Sequence, residues 1–250
     1  EGVLENPKVD AIFGAHINSL TPVGQIKYKA GGTMAAADRF VIKVKGEQIH
    51  GSTPWNGVDP IVVSAQIING LQTIISRQTE LTKEAAVVSV GMIRGGVRNN
   101  IIPEEVEMIG TIRTLDTEMQ DKIHEKIRLT ATKIAESFGA TAEVQIDKAV
   151  PVTYNDPALT AAMIPSLEKA AGKENVINSK AITGAEDFSY FQKEVPGLYI
   201  FVGGEPLDKN TEGYKGAGHH TPDFYIDDSG MLTGVKAMLN LTLDYMAQNK

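Results

Sequence analysis

The 250-residue sequence contains no cysteine. Disulfide staples, thiolate nucleophiles and cysteine-ligated zinc are excluded together, so any bound metal must rely on histidine and carboxylate donors. A basic surplus is also lacking. The 24 Lys+Arg against 31 Asp+Glu leave a net charge of -7 and a pI near 5.3. Such a balance argues against a nucleic-acid partner or an anionic membrane surface. Long apolar runs are missing too: residues 61–68 are interrupted by Ser64 and Gln66 and fall short of the roughly 20 residues that a bilayer span needs. The missing cysteine favours a compartment where disulfides are not used, read here as the cytoplasm.

What is present is an ordinary globular composition, 42% hydrophobic and 22% charged, arranged in clear periods. Phe40, Ile42 and Val44 alternate with mostly charged neighbours, as in a half-buried strand. Asp59 and Pro60 suit the cap and first turn of a helix to about Arg77, with Ile61, Ala65, Ile68 and Ile75 as its stripe. Val88, Val90 and Met92 form one alternating strand and Val106, Met108 and Ile112 another. Met119, Ile123, Ile127, Ile134 and Phe138 mark a second helix, with Thr117 and Gln120 as a capping box and Gly139 as its stop. Ala142, Val144 and Ile146 follow as a strand. The order β-α-β-β-α-β is the ferredoxin-like unit.

Residues 9–17 before this unit read as a buried strand. After it come a helix over 157–171, a strand over 198–202 and a final helix over 228–246, whose Met231, Val235, Met238, Leu239 and Met246 fit one stripe. The expected class is α/β: a catalytic-type domain from residues 1–37 and 151–250, interrupted by a ferredoxin-like domain at 38–150.

Five histidines carry most of the candidate chemistry. His124 is expected on the exposed side of its helix. His16 stands where an apolar strand meets a polar loop, the place where open α/β sheets hold ligands, although a structural histidine fits equally. His219 and His220 lie in a glycine-rich loop as a metal hint, with a solvated loop as the alternative. His50 lies in a loop rich in turn residues. Arg113 is placed to hold a carboxylate or to form a surface ion pair. Asn99 and Asn100 suit an oxyanion or simply shape a turn. Glu186 and Asp187 suit the start of a helix or the support of a metal.

Taken in order, several segments resemble one family. These are Gly14-Ala15-His16, the stretch 49–54 with Gly57-Val58-Asp59-Pro60, Asn100-Ile101-Ile102-Pro103, Gly110-Thr111-Ile112-Arg113-Thr114, the stretch 184–191 and His220-Thr221-Pro222-Asp223-Phe224. The family is the metal-dependent amidohydrolases, that is, the aminoacylases and carboxypeptidases with hippurate hydrolases, N-acyl-amino-acid amidohydrolases and auxin-conjugate hydrolases. The likeness runs over essentially the whole chain.

The resemblance implies a two-metal catalytic domain interrupted by a lid, which also serves in homodimerisation. It implies His16 and His220 as metal ligands, and Glu186 and Asp187 as supports behind them. His50, Asn100 and Arg113 are implied as lid residues that reach an N-acyl amino acid or small peptide, commonly from the partner subunit, with His50 at the oxyanion. The metals implied are zinc, manganese, cobalt or nickel. The family's remaining ligand motif and general-base glutamate lie before the position matching Glu1, so the chain is expected to be the C-terminal part of an enzyme. The alternative is a non-catalytic dimerisation or binding fragment. In either case, apolar faces of the opening strand and terminal helix are expected to be exposed.

Overall fold

A computed structural model describes residues 2–249. In chain order the strands are β1 (Ile12–Pro22), β2 (Ile26–Tyr28), β3 (Gly31–Met34), β4 (Ala36–Lys45), β5 (Ile49–His50), β6 (Ala86–Gly95), β7 (Ile101–Ile102), β8 (Glu105–Thr114), β9 (Thr141–Val150), β10 (Thr153–Asn155), β11 (Val176–Asn178) and β12 (Gly197–Glu205). The α-helices are α1 (Pro60–Gln78), α2 (Thr117–Ser137), α3 (Pro157–Ala171), α4 (Ser189–Gln192) and α5 (Met231–Gln248). The chain divides into two units. The first takes the residues up to Thr33, Thr153–Ile182 and those from Asp187 onward; the second takes Met34–Val152 and Thr183–Glu186.

The first unit is built on a four-stranded sheet of order β1-β12-β2-β11. β1 and β12 run parallel, in regular register from Ile12↔Gly197 to Asn18↔Gly203. Eight of the nine residues of β12 are buried, which is why Leu198 to Val202 reads as a continuous apolar run rather than an alternating one. α3 begins where the Asp156 side chain accepts a hydrogen bond from the Leu159 amide at 2.7 Å, with Pro157 in the first turn, and it stops at Gly172 with φ +86°. Leu159, Met163 and Leu167 of α3 join Leu198, Ile200 and Val202 of the sheet and Ala237 and Leu241 of α5 in one core.

α5 corrects the expected stripe. Met238 does pack against the core, but Met231, Val235, Leu239 and Met246 are exposed, together with Leu232 and Leu243. The helix carries two apolar stripes. The one that faces the sheet is Ala237, Leu241 and Tyr245. β1, beside it, is an edge strand. The exposure expected for the terminal helix is therefore present on its outer face.

The second unit is a sheet of order β6-β8-β4-β9, antiparallel throughout, with the chain order β-α-β-β-α-β. Phe40, Ile42 and Val44 of β4 and Val106, Met108 and Ile112 of β8 meet Ile67, Leu71 and Ile74 of α1 and Ile123 and Ile127 of α2. Asp59 caps α1, accepting from the amides of Ile61 at 2.8 Å and Val62 at 3.3 Å. The buried stripe of α1 is Val63, Ile67, Leu71 and Ile74, whereas Ile61 is exposed and Ile68 and Ile75 are half-buried. The apolar arc of this helix is wide, running from Val63 round to Ile61 opposite Gln66, Asn69, Thr73 and Arg77, and packing against the sheet selects one part of it.

α2 brings two further corrections. Its cap is Asp116, which accepts from the Met119 amide at 2.8 Å, rather than Thr117 with Gln120. His124 is not exposed: it is 3% accessible. Its Nε2 lies 2.7 Å from Asp38 Oδ2, and Gln120 Nε2 donates to the same oxygen at 2.7 Å. The position of His124 beside Ile123 and Glu125 reads as the exposed side of the helix, but 120 and 124 are one turn apart and both turn toward β4.

No helix among the described residues is long and apolar enough to cross a membrane. Asp38→Ala leaves two buried donors without an acceptor. It is expected to destabilise the protein by on the order of 3 kcal/mol in chemical denaturation. On α5, Leu241→Ala is expected to cost about 2–5 kcal/mol, whereas Leu239→Glu, on the outer face, stays within about 0.5 kcal/mol.

Candidate active site

In the first unit, two histidine-bearing stretches meet beside the parallel β1–β12 pair, His16 within β1 and the second stretch on the loop that leaves the carboxyl end of β12, the end of an open α/β sheet that binds ligands. His16 pairs with Phe201 near the end of the regular β1–β12 register. Gly14, two residues earlier, has no room for a side chain, because a Cβ there would lie 2.6 Å from the Tyr199 ring and 2.9 Å from that of Phe188. The His16 Nδ1 donates to the Ile17 carbonyl. In the neutral ring this leaves the Nε2 lone pair available, the arrangement usual for an imidazole that ligates a metal.

The loop that leaves β12 brings the second stretch. The His219 ring stands 5.0 Å from that of His16, edge to face, and 6.4 Å from that of His220. Ser19 on β1 donates its backbone N–H to His219 Nε2 at 3.1 Å and its hydroxyl to the Ala217 carbonyl at 3.1 Å. Burial holds His219 below the ordinary histidine pKa, with His16 and His220 adding to the effect. His220 adopts φ +61°, the left-handed region that a non-glycine residue rarely occupies.

Nearer the start of the loop, Glu205 at the end of β12 accepts from the Tyr214 hydroxyl and pairs with Lys209 at 2.7 Å. These contacts hold its carboxyl below the usual carboxylate range. Lys209 also lies over the Tyr214 ring. Neither Ser19 nor this group stood out in sequence, because each acts through main chain or through partners that only the fold brings near.

Asp187 is exposed and Glu186 half-buried, and they fall on either side of the boundary between the two units. The expected helix start is the single turn α4, whose cap position is Phe188.

The remaining candidates lie in the second unit. β5 and β7 pair His50 with Ile101, and the Gly51 amide donates to the Asn100 carbonyl at 2.8 Å, so His50 and Asn100 are brought together. The Ser52 amide donates to His50 Nδ1 at 3.1 Å, with the Ser52 hydroxyl 2.7 Å from the same nitrogen. A neutral His50 then carries its proton on Nε2, pointing away as a donor.

Arg113 is elsewhere. It lies on the open face of the sheet, in a shallow depression of about 500 Å³ shared with Arg39, Met92 and Ile109. It is opposite Ala37 and Val87, at the end where β4 begins. The β5–β7 ladder prolongs β4–β8 past the Lys45↔Glu105 end. Residues 105 to 113 alone span about 27 Å at 3.4 Å per residue.

The donor chemistry of the first unit suits a divalent ion, since neutral imidazole is a favoured ligand. Among the described residues, no group of three or more His, Cys, Asp or Glu is placed to hold one. That falls short of the three protein ligands usual at a catalytic ion.

Residues 1–244 match the model of the peptidase family M20/M25/M40. The chain belongs to that family. Among its relatives, a thermostable carboxypeptidase 2 of Saccharolobus solfataricus is 34% identical over 95% of this chain and 58% of its own length. An N-acetyl-L-cysteine deacetylase of Bacillus subtilis is 34% identical over 90% of this chain and 51% of its own. The crystal structure of Bacillus subtilis YXEP, described as a dinuclear metal binding peptidase of the M20 family, superposes with a TM-score of 0.74 at 31% identity, covering 98% of this chain and 59% of that one. The chain thus spans between half and three fifths of the length of these relatives.

The left-handed backbone at His220 allows its structural and chemical contributions to be separated. Asn tolerates this conformation best among non-glycine residues, so His220→Asn is expected to leave stability unchanged or raise it by up to about 1 kcal/mol. His220→Val is expected to lower it by at least about 1 kcal/mol. Thermal denaturation of both variants checks the pair.

Proposed function

We propose that this chain supplies the carboxylate clamp, the oxyanion donor and part of the metal-ligand set of an enzyme that hydrolyses the amide bond of N-acyl amino acids or small peptides. The observation that carries this reading is the meeting of His16, on β1, with the 219–220 pair on the loop after β12. His16 and His220 hold two divalent ions together with ligands from outside the described residues. Glu186 and Asp187 stand behind them. When bound, the ions supply Lewis acidity to amide hydrolysis. Zinc, manganese, cobalt and nickel all suit histidine and carboxylate donors. The N-acetyl-L-cysteine deacetylase and carboxypeptidase relatives support the substrate class.

His50 directs its Nε2–H to the oxygen on which negative charge develops, and the Asn100 amide assists it. Arg113 holds the substrate carboxylate as a planar fork. A small substrate cannot bridge the roughly 27 Å that separates Arg113 from the His50 end of its own sheet. The two groups therefore serve one substrate only if they come from different copies, and the enzyme is a homodimer through its ferredoxin-like lid. The lack of cysteine suits residence in the cytoplasm.

In an enzyme of the relatives' full length containing this chain, His50→Ala and Arg113→Ala are each expected to lower kcat/KM for an N-acyl amino acid by on the order of a hundredfold or more. Mixing the two variants under subunit exchange should restore a sizeable fraction of turnover, because one of the two mixed sites is then intact. No recovery despite demonstrated exchange would refute the shared site, and unimpaired turnover in the His50 variant would refute its role.

A second reading is favoured by the incomplete donor set: alone, the chain is a binding or dimerisation module. It is then expected to show no hydrolysis of N-acyl amino acids with added zinc, cobalt or manganese. Measurable turnover by the isolated chain would exclude that reading.

A further inference from the structure

The loop between β12 and the short turn that precedes α5, residues 206–226, has neither helix nor strand. A structureless connection of this length is costly to order and needs anchors. One anchor is the Glu205, Lys209 and Tyr214 group near its start. The other lies one residue before His220, at His219.

Resting on the reading that His220 is a metal ligand, we propose that His219 is not a second ligand but a positioning residue, a pin that fixes the His220 loop to β1. Its Nε2 accepts the Ser19 backbone N–H, and a lone pair engaged in that bond is not available to a metal. Ser19 is fully buried and holds the loop at a second point, through its hydroxyl to the Ala217 carbonyl. The His219 ring is further held between two others, His16 at 5.0 Å and Phe224 at 4.9 Å. With 217, 219 and 224 tied down, His220 has little freedom to leave its left-handed backbone conformation. The adjacent histidines thus divide the work: the first fastens the loop to the scaffold and the second is presented.

Three variants, made in an enzyme of the relatives' full length containing this chain, test this. His219→Gln keeps an acceptor for the Ser19 N–H, His219→Leu keeps bulk but no acceptor, and His220→Gln alters the presented side chain. The first readout is amide exchange in the metal-free protein. His219→Leu should accelerate exchange across residues 217–221 by about tenfold or more, while His219→Gln and His220→Gln stay within about threefold of the parent chain. The second readout is affinity for zinc ion alone, by calorimetric titration. His219→Leu should weaken it by about 10–100-fold, the usual effect of losing a group that orients a ligand, whereas His219→Gln restores most of it and His220→Gln does not.

Unchanged exchange in His219→Leu overturns the pin. Loss of zinc in His219→Gln equal to that in His220→Gln overturns it as well, since His219 would then be a ligand. If His220→Gln leaves zinc affinity untouched, the metal-site reading fails by itself, and the exchange data still decide whether His219 fastens the loop. Should His219→Leu not fold, Ser19→Ala, which removes only the hydroxyl bond to Ala217, must show partial acceleration at 217–221, and its absence counts against the pin.

Discussion

The parallel pairing of β1 with β12 is the constraint on which the candidate site depends. Because the two strands point the same way, their carboxyl ends share one end of the sheet, and residues two hundred positions apart in sequence become neighbours. His16 arrives on β1 itself, whereas His219 and His220 arrive on the loop that β12 releases. An antiparallel arrangement would have sent them to opposite ends. The near-complete burial of β12 keeps that register rigid, which suits a strand at the centre of a sheet covered by helices.

A different constraint organises the second unit. Its sheet is long, and its functional candidates are divided between the two ends: the β5–β7 ladder extends one end, and Arg113 stands near the other. The interior polar cluster of Asp38, Gln120 and His124 ties α2 to β4. One carboxylate oxygen serves two donors from successive turns of the helix, and this fixes where α2 sits along the strand as well as which face it presents.

Much of this architecture was legible in sequence because its signals are local. The Asp59-Pro60 start, the helix over 157–171 and the alternation of Phe40, Ile42 and Val44 each need only a few neighbouring residues. Signals failed where the sequence offered two choices and tertiary packing selected one. The apolar arc of α1 is wide enough to hold two stripes, Val63-Ile67-Leu71-Ile74 and Ile61-Ile68-Ile75, and spacing alone did not choose between them. α5 has two apolar stripes, and the one richer in Leu, Met and Val is the one left outside. His124 looked solvated because its sequence neighbours are charged, while its partner lies 86 residues away on another element. For the candidate site, the residue types and the motif order were visible. The hydrogen bonds that set each imidazole's tautomer were not, since they come from Ile17 and Ser19 main chain and from Ser52, which no side-chain pattern announces.

The bare flank of β1 and the outer stripe of α5 have a practical consequence for handling the protein. Among the described residues, β1 has no partner strand on one edge and lies next to a helix carrying Leu232, Val235, Leu239 and Leu243 on its outside, a combination that favours association in concentrated solution. Its colloidal behaviour will depend on how crowded the sample is. Storage dilute, or with a mild detergent that coats hydrocarbon, should keep preparations monodisperse where a concentrated stock would turn cloudy.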